Sequence, residues 1–98
     1  MTVPPQDTHG CRPMCELCRA DLFAQLRGVA RSRGHFWARG IAEVIPIDRT
    51  WPFTDKSRAI ALRKVADLTR DEPLREMLAT EVEDAAAQWW NRALEQVG

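Results

Sequence analysis

Three stretches of the chain repeat apolar residues at steps of three and four, the spacing that puts side chains on one face of an α-helix. In residues 13–33 the apolar stripe consists of Cys15, Cys18, Leu22, Leu26 and Val29. Pro13 suits the first turn of a helix, where its missing N–H costs little, and Gly34 is a typical stop signal. We therefore expect a helix over residues 13–33, preceded by an extended arm over residues 1–12, which have no apolar period.

Two more helices are predicted, over residues 54–69 and 72–97. Thr54 is a suitable N-cap for the first of them, because its hydroxyl can accept from an unpaired backbone N–H. Thr69 or Asp71 can cap the second in the same way. The apolar face of residues 72–97 is formed by Leu74, Leu78, Val82, Ala85 and Trp89. No glycine or proline interrupts the chain between residues 74 and 97, so one continuous helix is expected there.

The middle stretch, residues 35–53, fits two patterns. Trp37 and Ile41 have helical spacing, whereas residues 41–47 alternate as in a short strand. Pro46 lacks a backbone donor and prevents a helix from continuing past it. We expect a short helix followed by an extended segment and keep one short strand near 41–47 as an alternative. The sequence thus predicts a mainly α fold: a single domain over residues 1–98, built as a small bundle of three to four helices.

The charges are unevenly placed although the formal net charge is zero. Residues 12–39 hold six arginines and two acids, whereas residues 67–95 hold eight acids and three arginines. One hypothesis is a face that binds a polyanion such as nucleic acid. Its candidate contacts are Arg19, Arg27, Arg31 and Arg33, with His35, Phe36 and Trp37 available to stack on bases. The alternative is that both are charged helix surfaces that partly neutralise each other, with the aromatic rings in the core.

Candidate chemistry is concentrated in an N-terminal cluster made of His9, Cys11, Cys15 and Cys18. Zinc prefers four cysteine or histidine ligands in a tetrahedron, and a Cys-x2-Cys pair can bind one ion from the start of a helix. The cluster therefore predicts a structural zinc site. Buried thiols that extend the apolar stripe are the main alternative. An iron–sulfur cluster is disfavoured: Cys-x3-Cys-x2-Cys is the spacing of radical SAM enzymes, whose long barrel a 98-residue chain cannot form.

The spacing of Cys11, Cys15 and Cys18 is similar to the His-x3-Cys-x2-Cys motif of zinc-containing anti-sigma factors, whose domains are small helical bundles. The similarity covers eight residues, with Cys11 where that family has histidine. The family also has a full helix before its motif, for which ten residues leave no room here. The resemblance implies that a metal at the start of a helix is compatible with a small bundle.

The adjacent Trp89 and Trp90 are a candidate contact for a partner. Neighbouring side chains on a helix point about 100° apart, so one face cannot hold both rings in the same place. We expect Trp89 in the core and Trp90 beside it, partly exposed. The alternative is that the last helix packs between neighbours on two sides and buries both rings. Tryptophan is enriched at the energetically dominant positions of protein interfaces, so Trp90 is a predicted partner-binding residue.

No catalytic set is recognised in the sequence: the two histidines lack a motif partner besides the cysteines, and there is no phosphate-binding glycine loop. We expect the protein not to be an enzyme. No apolar run reaches the roughly 18 residues of a membrane span, and the first residues do not resemble a signal peptide. A cytoplasmic location without membrane contact is expected.

These features together predict a small helical regulatory or adaptor protein, stabilised by zinc, that acts through contacts with a protein partner or with itself. A phage or other mobile element is one origin that we consider for it. The alternative function is a zinc-containing module that binds nucleic acid, including DNA, through the Arg-rich first helix.

Overall fold

Three helices account for most of residues 15–53 and 55–97, the part of the chain that the computed structural model describes. They are α1 (Glu16–Ala42), α2 (Ser57–Lys64) and α3 (Glu72–Val97), and these residues contain no strand. The prediction of a mainly α bundle is confirmed. The predicted arm, Pro13 and the predicted cap Thr54 lie outside the described residues. Helix α1 begins at Glu16, after an extended Cys15, so the predicted start at residue 13 is wrong.

Helix α1 continues past Gly34 for two more turns, so the predicted end at residue 33 is wrong. The reason is that Gly34 lies where α1 crosses α3. A Cβ atom on Gly34 would stand 2.3 Å from the carbonyl oxygen of Val82 and 3.0 Å from the Cβ of Ala85. Glycine is therefore present because the two backbones approach closely, which outweighs its cost of about 1 kcal/mol in a helix.

The strand considered near 41–47 is also wrong within the described residues. Ile41 and Ala42 form the last turn of α1, and the backbone N–H of Ile45 still donates to the carbonyl of Ile41 at 3.0 Å. The helix thus ends just before Pro46, as the proline predicts.

Helices α1 and α3 run in the same direction. Arg19 near the start of α1 pairs with Asp71 just before α3, and Gly34 further along α1 meets Val82 further along α3. Parallel neighbours cannot be joined by a short turn, so residues 43–71 cross over between them and include α2.

Helix α2 covers eight residues, and the chain after Lys64 continues as tight turns, not as helix to residue 69. The N–H groups of Val65 and Ala66 donate to carbonyls three residues earlier, at 3.3 and 3.4 Å. Arg33 of α1 meanwhile donates to the carbonyl oxygen of Lys64 at 2.7 Å. A further helical turn would need that carbonyl for its own bonds, so the contact with α1 favours the early end.

Helix α3 begins and ends where the sequence predicts. Asp71 is its N-cap, because its carboxylate accepts from the backbone N–H of Leu74 at 2.9 Å. Thr69, the other candidate, supports this cap: its hydroxyl oxygen accepts from the N–H of Asp71 at 3.1 Å. The buried side of α3 consists of Leu74, Leu78, Ala79, Val82, Ala85, Ala86 and Trp90.

Aromatic rings fill the end of the core at which α1 finishes. Trp51 from the crossover lies edge-on to Trp37 of α1 and Trp90 of α3, with ring centroids 5.0 and 5.4 Å away. Trp90 is fully buried, and its indole N–H donates to the carbonyl of Arg49 at 2.7 Å. The expected partial exposure of Trp90 is wrong. The buried residues Val82, Ala86 and Trp90 follow each other at steps of four, which places Trp90 and not Trp89 on the fully buried side of α3.

Candidate metal ligands and an open apolar groove

Two of the four predicted metal ligands meet at the start of α1. Cys15 is the N-cap, and its sulfur accepts from the backbone N–H of Cys18 at 3.4 Å. The two sulfur atoms are 3.3 Å apart, and both side chains are half-buried. Two thiolates on one tetrahedral zinc ion stand about 3.8 Å apart, given Zn–S bonds of about 2.3 Å. A shift of roughly half an ångström would therefore let the pair bind a single ion.

The other two predicted ligands, His9 and Cys11, lie outside the described residues. Among residues 15–53 and 55–97, no three histidine, cysteine or acidic side chains come together as a possible metal site. A complete site of four ligands therefore depends on His9 and Cys11 joining the Cys15–Cys18 pair.

Arg19 lies beside the thiol pair and connects the start of α1 to the start of α3. Its Nε donates to the carboxylate of Asp71 at 2.8 Å. This hydrogen bond is the main reason that the pKa of Arg19 is raised and that of Asp71 is lowered; the charge of Cys15 adds slightly to the former. Since Asp71 also caps α3, one carboxylate serves both the helix terminus and the contact between helices.

Arg27 and Arg31 pair with one acid of α3. Their side chains donate to the same carboxylate oxygen of Glu81, at 3.1 and 3.0 Å. Arg31 also donates to the side chain of Gln88. These contacts are formed between residues about fifty positions apart in the sequence, and they hold α1 against α3.

Arg33 completes this set of interhelical contacts. It donates to both carboxylate oxygens of Asp67, at 2.6 and 3.1 Å, and this bonding lowers the pKa of Asp67. All four arginines of the nucleic-acid hypothesis thus lie against acids from the second half of the chain. The arrangement matches the alternative of helix surfaces that neutralise each other.

An open groove runs along α1 on a side that α3 does not cover. We call it the α1 groove; its volume is about 660 Å³. Phe36 is 75% exposed beside it, and a Cβ atom at Gly40 would meet nothing within 4 Å. The lining residues are Val29, Ser32, Arg33, Phe36, Trp37, Gly40, Ile41 and Lys64. Sequence reasoning missed this site because it assigned Phe36 to base stacking or to the core.

Positive charge surrounds the α1 groove. Residues 22–42 of α1 contain four arginines and no acid, and α2 contains three basic residues and no acid. The ammonium group of Lys64 lies 5.8 Å from the centre of the Trp37 ring, at the edge of the groove. Asp67 forms an ion pair with Arg33, which lines the groove. Four of these seven basic residues pair with acids, namely Arg27, Arg31, Arg33 and Arg58. The groove therefore has an apolar floor and an edge with an excess of positive charge, to which Arg39 and Lys64 contribute.

No protein-family model matches this chain, and no curated protein or solved structure matches it. None of the described helices combines the length and the apolar character needed to cross a membrane.

Proposed function

We propose that this protein is a helical adaptor or regulatory protein that binds a protein partner through the α1 groove. The exposed ring of Phe36 carries the proposal. It stands next to a cavity of about 660 Å³ whose floor includes Val29, Gly40 and Ile41. An exposed aromatic ring beside an apolar depression is typical of a surface that a partner covers, because burying both removes apolar area from water.

The arginine contacts support protein binding over nucleic-acid binding. A phosphate-binding surface needs side chains that are open to phosphate oxygens. Arg19, Arg27, Arg31 and Arg33 instead donate to Asp71, Glu81 and Asp67. Binding a phosphate would require each arginine to exchange an existing charged contact, which reduces the gain from the new one.

The second part of the proposal is a structural zinc ion held by His9, Cys11, Cys15 and Cys18. Its support is the 3.3 Å approach of the two sulfur atoms at the start of α1. A zinc ion with four protein ligands has no open position for substrate, so its role is stability. It would fix the first turn of α1 next to the Arg19–Asp71 contact.

Site-specific photo-crosslinking tests the role of the α1 groove. A photoreactive amino acid replaces Phe36 in one variant and Val44 in the control; Val44 is equally exposed, at 75%, and does not line the groove. We expect a protein in extract of the source cells to be crosslinked from position 36 only. The purified partner should then lose affinity for Phe36→Asp but keep it for Val44→Asp. Equal crosslinking from both positions, or from neither, contradicts the proposal.

Metal analysis tests the zinc site. We expect about one equivalent of zinc in the purified protein and a lower melting temperature after treatment with a chelator. Cys18→Ser and His9→Ala should each lose zinc. His35→Ala is the matched control, because the only other histidine is exposed and lies in the second half of α1. Zinc-free protein that melts at the same temperature would refute this part.

A further inference from the structure

We infer that the partner segment in the α1 groove is an amphipathic helix with apolar anchors and acidic flanking residues. The inference rests on the proposed function and goes beyond it by stating the chemistry of the partner. Two observations carry it: the shape of the apolar floor along α1 and the absence of acids from residues 22–42 of α1 and from α2.

The apolar floor has a length and a surface shape that suit the binding of a helix. From Val29 to Gly40 it extends about 17 Å along α1, or three helical turns. Phe36 projects from the floor, and the open position at Gly40 lies one turn further on. A partner helix can place apolar side chains at positions i, i+4 and i+7 along such a floor, with one of them over Gly40 and beside the Phe36 ring.

The basic residues at the edge of the groove favour a partner that has acidic residues beside its apolar anchors. Basic residues in this region are contributed by α1 and α2, and neither residues 22–42 nor Ser57–Lys64 include an acid. Lys64 lies at the groove edge, and Arg39 is exposed near the end of α1. Glutamate and aspartate beside the apolar anchors would meet this charge, which favours association and orients the partner.

Two other occupants fit less well. A second copy docked by the same face would bring together two edges with an excess of positive charge, and like charges across an interface oppose binding. A nucleic acid would find few open donors for its phosphates: Val29, Gly40 and Ile41 have none in their side chains, and Arg33 already donates to Asp67. Ser32 and Lys64 are the other donors of the lining. Glu81, which pairs with Arg27 and Arg31, lies on α3, whereas Asp67 pairs with Arg33 at the groove itself.

A display selection tests the inference directly. The library consists of 16-residue helical peptides with leucine fixed at positions i, i+4 and i+7 and with flanking positions varied among Asp, Glu, Lys, Arg and Ser. Selection uses the full-length zinc-loaded protein, with counter-selection on Phe36→Asp. We expect the recovered peptides to be enriched in Asp and Glu and to bind at least about tenfold more tightly than matched peptides with Lys in place of the acids.

Three variants locate the binding site. Phe36→Asp and Gly40→Leu should each weaken the selected peptide by at least about tenfold, the first by removing the ring and the second by filling the groove. Lys64→Glu should reverse the preference between acidic and basic peptides. Val44→Asp should leave the affinity for the selected peptide unchanged. Circular dichroism melting of each variant verifies that the fold is retained, as expected for the exposed Phe36, Gly40 and Val44 and the half-buried Lys64.

Several results would overturn the inference. The selection could yield no binders, or the recovered peptides could show no enrichment of Asp and Glu. Val44→Asp could also weaken peptide binding as much as Phe36→Asp does. Concentration-dependent dimers in light scattering that Phe36→Asp abolishes would assign the groove to a second copy. Salt-sensitive binding of a single-stranded DNA oligonucleotide that requires Phe36 would assign it to nucleic acid. If the crosslinking at position 36 succeeds and the acidic preference fails, the adaptor function stands and only the chemistry of the partner is wrong.

Discussion

At the scale of single residues, the glycines of α1 have different roles. Gly34 lies against the backbone of α3, where any side chain would collide with Val82 or Ala85. Gly28 and Gly40 face open space. The sequence shows the same residue type in all three positions, and only the crossing with α3 distinguishes them. From the sequence alone, Gly34 therefore has the properties of an ordinary stop signal, at which the predicted helix ends.

Replacing these glycines by alanine should have opposite effects. Gly34→Ala should destabilise the protein by about 1–3 kcal/mol, because the added methyl group forces α1 and α3 apart. Gly28→Ala should stabilise it by up to about 1 kcal/mol, because alanine favours the helix and meets no neighbour. Urea unfolding followed by circular dichroism measures both. A Gly34→Ala protein as stable as the Gly28→Ala variant would refute the close crossing.

At the scale of elements, helix α3 was the most predictable and the contacts of α1 the least. The apolar stripe, Pro73 and the cap at Asp71 define α3 locally, and its bounds were predicted correctly. The positions of Cys15 and Cys18 at the start of α1 also follow from local spacing. The partners of Arg27 and Arg31 do not, because a sequence does not show which charged residues fifty positions apart will meet. The groove beside Phe36 likewise depends on which side of α1 the other helices leave open.

The cap of α3 should make stability depend on pH in a defined direction. Asp71 has a lowered pKa in the folded protein because Arg19 donates to its carboxylate. Its contribution is therefore complete above the unfolded-state pKa of about 3.9 and is lost as the pH falls through the lowered folded-state value. Asp71→Asn keeps a capping oxygen but removes the charge. Its melting temperature should be below that of the wild type at about pH 7, and the difference should shrink towards about pH 3.

Asp48→Asn is the control for this measurement. Asp48 is exposed and lies 3.7 Å from its neighbour Arg49, so its charge should add little to stability at any pH. A constant difference between Asp71→Asn and wild type across the pH range would show that the ionised carboxylate does not stabilise the junction of α1 and α3.

At the scale of the whole molecule, the tryptophan cluster joins α1, the crossover and α3. Trp37, Trp51 and Trp90 come from α1, the crossover and α3, so their contact closes the bundle at one end. The backbone N–H of Trp51 also donates to the side chain of Asn91 at 3.1 Å. The sequence predicts Trp89 in the core in place of Trp90, because the apolar stripe of α3 fits either tryptophan and only the packing against Trp51 distinguishes them.

Trp90→Phe should cost about 1 kcal/mol more than Trp51→Phe in the free energy of unfolding. Both changes replace a buried indole by a smaller ring. Only Trp90 loses a side-chain hydrogen bond, the one to the carbonyl of Arg49, since within the described residues the indole N–H of Trp51 has no partner. Chemical denaturation with far-ultraviolet circular dichroism measures the difference. Equal losses would mean that the Trp90 hydrogen bond contributes nothing.

The parallel arrangement of α1 and α3 has a consequence for the order in which the chain acquires its structure. In an up-and-down bundle each helix packs on the next one, so contacts form early between segments that are close in sequence. Here the main partner of α1 is α3, the last of the three described helices. The buried side of α1 must therefore remain without that partner until α3 has emerged from the ribosome. The arginines beside the apolar side of α1 keep this segment charged until α3 is available. This charge limits aggregation of the nascent chain before the bundle forms.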